Sequence, residues 1–240
     1  MAFPLLKRQY EHHTEKVHAG GGPRLRDLML GLNDGLVASF AVTSGIAGAF
    51  ANPRIVIMAG LAEMLGGAVS MGLAAFASAR AQYEFYQSEI RREHDEITRW
   101  PEREREEIRS IYRNKGFTGA LLDQIVAHIT ADPARWSNVM MREELGFGSD
   151  IDDPPLRSGI TVGVAYLIGA MVPVLPYLLV EPPHGLISSA ITTILVLFAV
   201  GAAKTLVTIR PWWRSGLESM AIGIGAAAVT YGAGLLFSRQ

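Results

Sequence analysis

Five long apolar stretches dominate the pattern of hydrophobic and polar residues along the chain. Each is long enough to cross a bilayer as an α-helix, for which about 20 residues are needed. They are approximately Leu28–Phe50, Ile55–Ala79, Gly159–Val180, Gly185–Val207 and Leu217–Phe237. Such continuous runs favour helices over barrel strands, and a helix satisfies all its backbone hydrogen bonds inside lipid. The pattern therefore predicts an all-α membrane protein with five transmembrane helices.

A polar segment, residues 80–157, separates the second apolar stretch from the third. No helix breaker follows the second stretch, so its helix is expected to run on into water. Three further helices are predicted. The first begins at Pro101 and ends at Gly116, and the last has Asp132 as its N-cap and Pro133 at its first position. Between them lies a helix with an apolar stripe formed by Leu121, Leu122, Ile125, Val126 and Ile129.

These signals divide the chain into four regions. Residues 1–27 form an N-terminal segment, residues 28–79 the first two membrane helices, residues 80–157 a helical insert, and residues 158–240 the last three membrane helices. Lysine and arginine predict the orientation, because cytoplasmic loops carry an excess of both. One side holds Lys7, Arg8, Lys16, Arg24, Arg26, Lys204, Arg210 and Arg214, whereas the other keeps only Arg54 and Arg239. The N-terminus and the insert are thus predicted to be cytoplasmic, and the C-terminus to lie outside.

Composition narrows the function. Charged residues make up 19% of the chain, against about 25% in soluble proteins, and 16 of the 23 acidic residues lie between Glu84 and Asp153. A net charge of −1 gives no basic surface that calls for nucleic acid. The chain has no cysteine and no nucleophile motif, phosphate-binding loop or nucleotide fingerprint. We therefore expect a protein that is not an enzyme and has no prosthetic group.

The insert carries two Glu-x-x-Glu pairs, Glu93/Glu96 and Glu104/Glu107. Residues three apart lie on one helix face, so each pair can offer two carboxylates to one metal site. The last predicted helix of the insert adds Met140, Met141 and Glu144. Carboxylate oxygens suit hard and borderline divalent ions, while a thioether biases the set towards softer first-row metals such as Fe²⁺. The alternative is a solvated surface, because arginines accompany these glutamates and methionine often fills a core.

Two carboxylates fall inside the apolar stretches, Asp34 in the first and Glu63 in the second. A charge at the bilayer centre costs about 3 kcal/mol on insertion scales, so it normally faces a pathway or a partner. Lys204 is a candidate partner, which would make Asp34 part of a structural ion pair. Met71 could add a sulfur ligand, although a membrane methionine usually serves packing. Small residues such as Gly31 and Gly35 permit close approach of helices.

The histidines give weaker signals. Glu15-x-x-His18 has the spacing of a di-iron ligand pair, and Glu181 precedes His184 by the same distance in a turn with two prolines. Di-iron chemistry needs two such motifs and two more glutamates on facing helices. A membrane di-iron oxidase is therefore a disfavoured alternative.

The sequence resembles the vacuolar iron transporter family in several of its motifs. The strings LNDGLVASFAVTSGIAGA and AGLAEMLGGAVSMGLAAFASARAQ are similar to the first two membrane helices of that family. EIRREHDEI, PEREREEIRSIYRNKGF and DPARWSNVMMREELG resemble successive parts of its cytoplasmic metal-binding domain. The resemblance extends from Leu25 to Phe237 in the same order.

The resemblance implies a homodimer in the bilayer with the ion path between its subunits. It implies that the seven insert positions named above bind metal, that Asp34 and Met71 are membrane ligands, and that Glu63 lies on the pathway. The implied substrates are Fe²⁺, Mn²⁺ and other divalent ions, moved out of the cytosol against protons. Eukaryotic members reside in vacuolar membranes, but the short N-terminus has no recognisable sorting extension, so a bacterial plasma membrane is expected. A membrane-anchored iron sensor or buffer is the remaining alternative.

Overall fold

The computed structural model describes residues 22–50, 52–146, 153–179, 184–206 and 210–238. Within these ranges every regular element is helical. The α-helices are α1 (Gly22–Ala49), α2 (Pro53–Arg99), α3 (Pro101–Asn114), α4 (Gly119–Thr130), α5 (Pro133–Glu143), α6 (Pro155–Leu179), α7 (His184–Ala203) and α8 (Trp212–Phe237), and a 3-10 turn, Lys204–Leu206, follows α7. Five of them, α1, α2, α6, α7 and α8, are long and apolar enough to span a membrane. The predicted all-α fold with five membrane helices is thus confirmed.

The membrane bundle is built around α1 and α6. Helix α1 packs along α6 and α8, while α2 packs along α6 and α7 along α8. Gly31 and Gly35 lie where the backbone of α6 crosses α1, so close that a Cβ on either would overlap a carbonyl oxygen, that of Val162 or Tyr166. Small residues therefore bring these helix backbones together, as the sequence indicated.

Helix α2 is continuous over 47 residues, which corresponds to roughly 70 Å at 1.5 Å per residue. Its first half is apolar and its second half is rich in charge, so the expected continuation beyond the apolar stretch is confirmed. Trp100 ends the helix, and Pro101 starts α3 at once in a new direction. Because the five spans alternate in direction, the insert lies at the end of the bundle where α1 begins.

The three shorter helices fold back onto the end of α2. Asp132 caps α5 by accepting hydrogen bonds from the backbone N–H groups of Ala134 and Arg135, as predicted. Gly116 (φ 95°) and Gly146 (φ 66°) follow α3 and α5 in the left-handed region that glycine favours. The apolar faces of α3, α4 and α5 meet in a core formed by Ile108, Leu122, Val126, Ile129, Trp136 and Met140.

One detail of the predicted stripe on α4 is wrong. Leu121 is 54% exposed, whereas Leu122, its neighbour in sequence, lies in the core. Adjacent residues on a helix point about 100° apart, and only one face of α4 is covered by α3 and α5. The core therefore takes a narrower stripe than the run of apolar residues suggested.

Candidate functional site

The two Glu-x-x-Glu pairs converge because the chain reverses at Trp100 and Pro101. Glu93 and Glu96 lie in the last turns of α2, and Glu104 and Glu107 lie in the first turns of α3. Carboxylate oxygens of Glu93, Glu96 and Glu104 all lie within 4.8 Å of one another. This is a spacing at which several oxygens can bind one divalent ion.

The two innermost glutamates are buried. Glu93 is 2% exposed and Glu104 is fully buried. In the part of the chain that the structure describes, Oε1 of Glu93 and both carboxylate oxygens of Glu104 have no hydrogen-bond partner. Burying a charge without a partner is costly, so an arrangement of this kind suits a bound cation.

Among the described residues, the ion pairs with arginine involve the outer members of the set. Arg103 lies 3.1 Å from Glu107, and Arg92 lies 3.8 Å from Glu96. The arginine pairing that favoured a solvated surface therefore describes the rim of the cluster. The fully solvated alternative does not describe its buried centre.

The electrostatics show that the glutamates act as one group. Burial, followed by the carboxylates of Glu144, Glu104, Glu96 and Glu107, raises the pKa of Glu93 to about 7. Burial and the neighbouring Glu107 and Glu96 raise the pKa of Glu104 to about 6. Burial and the same two neighbours raise the pKa of Glu144. A divalent cation would relieve this mutual repulsion, as carboxylate oxygens suit hard and borderline metals.

Helix α5 brings the two methionines and Glu144 to the end of α2. Met140 is fully buried and belongs to the apolar core of the insert, beside Ile108 and Trp136. Met141 is also buried, whereas Glu144 is exposed overall. Met140 therefore packs in the insert core, and this core fixes α5 against the glutamates.

A second polar cluster lies inside the membrane bundle. The Tyr166 hydroxyl of α6 donates a hydrogen bond to Oε1 of Glu63. The Ser39 hydroxyl lies beside the same carboxylate, and Asp34 interacts electrostatically with both Glu63 and Tyr166. Oε2 of Glu63 is buried and has no hydrogen-bond partner among the described residues. Asp34 of α1 and Glu63 of α2 thus lie close enough to interact electrostatically, beside Tyr166 of α6.

Met71 is half-buried near this cluster. It packs against a small apolar group that contains Tyr166 and Ala68. Gly67 leaves room for the Tyr166 ring, with which a Cβ at that position would collide. The structure thus brings Met71 towards the same tyrosine that holds Glu63.

Sequence reasoning missed Tyr166. Its signal is modest, since it is one of two tyrosines in the largely apolar α6, and the hydrogen bond joins residues 103 apart in the chain. Lys204, the candidate partner of Asp34, instead lines a cavity with Asn33 and Glu218 between α1, α7 and α8. Glu15, His18 and Glu181 lie outside the described residues.

The raised pKa values predict how pH affects the stability of the metal-free insert. The carboxyls of Glu93 and Glu104 have an ordinary pKa of 4.5, and folding raises both pKa values. The folded insert therefore binds protons more tightly than the unfolded chain. The contribution of these two groups to its stability should be highest below about pH 4.5 and fall as pH rises towards 7. We expect the unfolding midpoint in chelator to be several degrees lower at pH 8 than at pH 5.5.

In a W212F/W213F background, the fluorescence of the two remaining tryptophans, Trp100 and Trp136, measures this midpoint, since both lie in the insert. E93Q/E104Q should be more stable than its parent at pH 8 and should lose most of the pH dependence. An unchanged pH profile in that variant would assign the effect to other groups.

Known proteins are similar to this chain over most of its length. A family model described as "VIT family" matches residues 25–235. The chain is 36% identical to "Vacuolar iron transporter 1" of Arabidopsis thaliana over 231 residues, which cover 95% of this chain and 91% of that protein. It is 34% identical to "Vacuolar iron transporter 1" of Oryza sativa subsp. japonica over 97% of this chain and 92% of that protein. "Protein CCC1" of Saccharomyces cerevisiae is 32% identical over 75% of this chain and 57% of its own length.

These relatives bear on the predicted location. They are plant and yeast proteins, and the plant proteins carry the word vacuolar in their names. They give no support to the expected bacterial plasma membrane, which stays a prediction.

Proposed function

The chain belongs to the VIT family, and from that premise we propose that it is a multi-pass membrane transporter that moves Fe²⁺ out of the cytosol in exchange for protons. Relatives that cover nearly the whole chain are named vacuolar iron transporters, which supports metal-ion transport in place of enzymatic chemistry. Mn²⁺ and other divalent transition metals are proposed as further substrates. The proposed orientation has the N-terminus and the insert in the cytosol and the C-terminus outside.

The observation that carries this proposal is the pairing of two acidic clusters at different depths. In the insert, Glu93, Glu96 and Glu104 bring their oxygens together, and this cluster would collect metal ions from the cytosol. In the membrane, Asp34 and Glu63 interact electrostatically, and a desolvated ion would be held at these carboxylates during passage. The seven insert residues, with Asp34 and Met71, are the proposed ligands, and Glu63 is the proposed pathway residue.

Proton exchange follows from the chemistry of carboxylates. Metal ions and protons compete for the same oxygens, so metal binding releases protons and the affinity falls as the solution becomes more acidic. Glu93 and Glu104, with pKa values of about 7 and about 6, would change protonation near neutral pH. At the membrane site, the same competition at Asp34 and Glu63 would favour metal binding from the side of higher pH and release on the more acidic side.

Uptake into liposomes tests the proposal directly. The purified full chain should move Fe²⁺ into liposomes. A proton gradient with the acidic side inside should increase the rate, because protons would leave as Fe²⁺ enters. Parallel assays with Mn²⁺ and Zn²⁺ would define the substrate range. A protein that binds Fe²⁺ but gives no flux above empty liposomes would instead be a membrane-anchored sensor or buffer.

We also propose that the chain acts as a homodimer, and the surface of α2 supports this. Ala62, Gly66 and Ser70 are exposed and four residues apart, so they form a stripe of small side chains along one face. A Cβ added at Gly66 would meet nothing within 4 Å, which leaves space for a second helix. The small residues of α1 are used inside the subunit, where α1 packs extensively on α6 and α8. We therefore propose that this face of α2 forms the interface between the two subunits.

Cysteine cross-linking tests the dimer cleanly, because the chain contains no cysteine. Gly66→Cys and Ser70→Cys should each give a disulfide-linked dimer in oxidised membranes, since small-residue stripes bring helices close together. Ile191→Cys, on an exposed apolar face of α7, is the matched control and should stay monomeric. Equal cross-linking at all three positions, or at none, would contradict this interface.

A further inference from the structure

A cavity of about 300 Å³ opens between α1, α7 and α8 at the end of the bundle that bears the insert. Helix α1 lines it from Arg26 to Asn33, which corresponds to a depth of roughly 10 Å at 1.5 Å per residue. Lys204, immediately after α7, and Glu218 of α8 also line it. Neither Asp34 nor Glu63 lines the cavity, and Asp34 points about 100° away from Asn33 around α1, so the proposed ion pathway does not account for it.

The charges around this cavity are mainly positive. Arg26 and Lys204 line it, Arg210 lies 3.5 Å from Glu218, and Arg214 is one helical turn before Glu218. The acidic groups are Glu218 and Asp27, which pairs with Arg26 at 3.2 Å. Four cationic groups and two carboxylates leave a surplus of two positive charges at the membrane surface.

Below this charged rim the walls of the cavity are mostly apolar. Met29 of α1, Val200 of α7 and Ile222 of α8 contribute to them, and Asn33 and Ser219 are their polar members. Trp212 and Trp213 are exposed nearby, at the start of α8, where amphipathic aromatic rings anchor a protein at the headgroup level. A cationic rim above apolar walls matches an anionic headgroup attached to hydrocarbon chains, and basic pockets between membrane helices are known to bind such headgroups.

We propose that this cavity binds an anionic phospholipid from the leaflet on the side of the insert. Arg26 and Lys204 contact the headgroup phosphate, and the acyl chains cover Met29, Val200 and Ile222. Free phosphate is a poorer occupant, because it would leave the apolar walls uncovered. The site is independent of the transported ion, so it stands or falls separately from the proposed transport function.

Native mass spectrometry of the full chain in detergent tests this with phosphatidylglycerol and phosphatidylcholine as probes. The protein should retain phosphatidylglycerol in preference to phosphatidylcholine. R26Q/K204Q should weaken that retention by about 25-fold, since each basic residue at a membrane surface contributes a factor of about five. R54Q/R80Q is the matched control, because it removes two exposed arginines that lie away from the cavity, and it should retain the lipid normally.

Three further measurements decide the outcome. R26K/K204R keeps both charges and should retain phosphatidylglycerol. If R26Q/K204Q is not monodisperse, K204Q alone should weaken binding by about fivefold. Equal loss in R26Q/K204Q and R54Q/R80Q would show general charge attraction and overturn the proposal, as would displacement of the lipid by millimolar inorganic phosphate.

Discussion

Replacing Glu93, Glu96, Glu104 and Glu107 together by glutamine should weaken Fe²⁺ binding to the insert by at least about 100-fold, since ligand charge tunes the affinity of carboxylate sites over several orders of magnitude. Glutamine keeps the shape and helicity of each side chain but removes the negative charge. The measurement is calorimetric titration of the full chain in detergent under reducing conditions. Keeping the chain intact matters, because Ile97 of α2 packs against the insert core.

The matched control removes four acidic groups from the same region, Glu84, Asp95, Glu102 and Glu106. All four are exposed, and each forms an ion pair with a neighbouring arginine. Their amide variant should bind Fe²⁺ almost as the parent does. Equal weakening in the two variants would show that the cluster attracts metal only through its general negative charge. Unchanged binding in the first variant would show that its glutamates are solvated surface groups and do not bind metal.

Stability separates loss of ligands from loss of structure. The buried carboxylates of Glu93 and Glu104 resist ionisation, as their raised pKa values show. Their removal should therefore leave the metal-free insert at least as stable at pH 8. A variant that loses metal binding while its unfolding midpoint rises has lost ligands and kept its fold.

The elements of the insert were predictable because their signals are local. The helix boundaries are marked by Pro101, Gly116, Asp132 and Pro133. Each of these signals acts within one helical turn of its own position, so it can be recognised in a single sequence. The spacing of the glutamates likewise predicted two pairs of carboxylates. It did not predict that the pairs would face each other, because that depends on the direction of α3 after Trp100.

Inside the membrane, the sequence located the polar residues but not their neighbours. The insertion cost of a charge marked Asp34 and Glu63. The hydrogen bond from Tyr166 and the placement of Lys204 beside Asn33 depend on the rotation of helices around their axes. A rotation by one residue, about 100°, would exchange Asn33 for Asp34 at that cavity. Continuous apolar runs carry little information about that angle.

Asp34→Asn should reduce Fe²⁺ flux into liposomes to the level of empty liposomes while leaving metal binding by the insert nearly intact. The physical reason is that a carboxylate in an apolar span is the group able to replace the water of a desolvated cation. The insert is a separate cluster in the polar part of the chain, so its titration should be unchanged. The insert glutamate variants should instead lower flux mainly at low metal concentration, because they remove capture and keep the path.

Two companion variants decide between a transport ligand and a structural role for Asp34. Glu218→Gln removes a carboxylate from α8 and should transport normally, since Glu218 is half-exposed and lies away from the Asp34 site. If Asp34 served mainly to pair with Lys204, Asp34→Asn would lower thermal stability, and Asp34→Asn/Lys204→Met would recover stability and flux together. Lys204 lines a cavity with Asn33 instead, so we expect no recovery. Normal uptake by a well-folded Asp34→Asn protein would remove Asp34 from the pathway and leave Glu63, held by Tyr166, as the acidic group to test next.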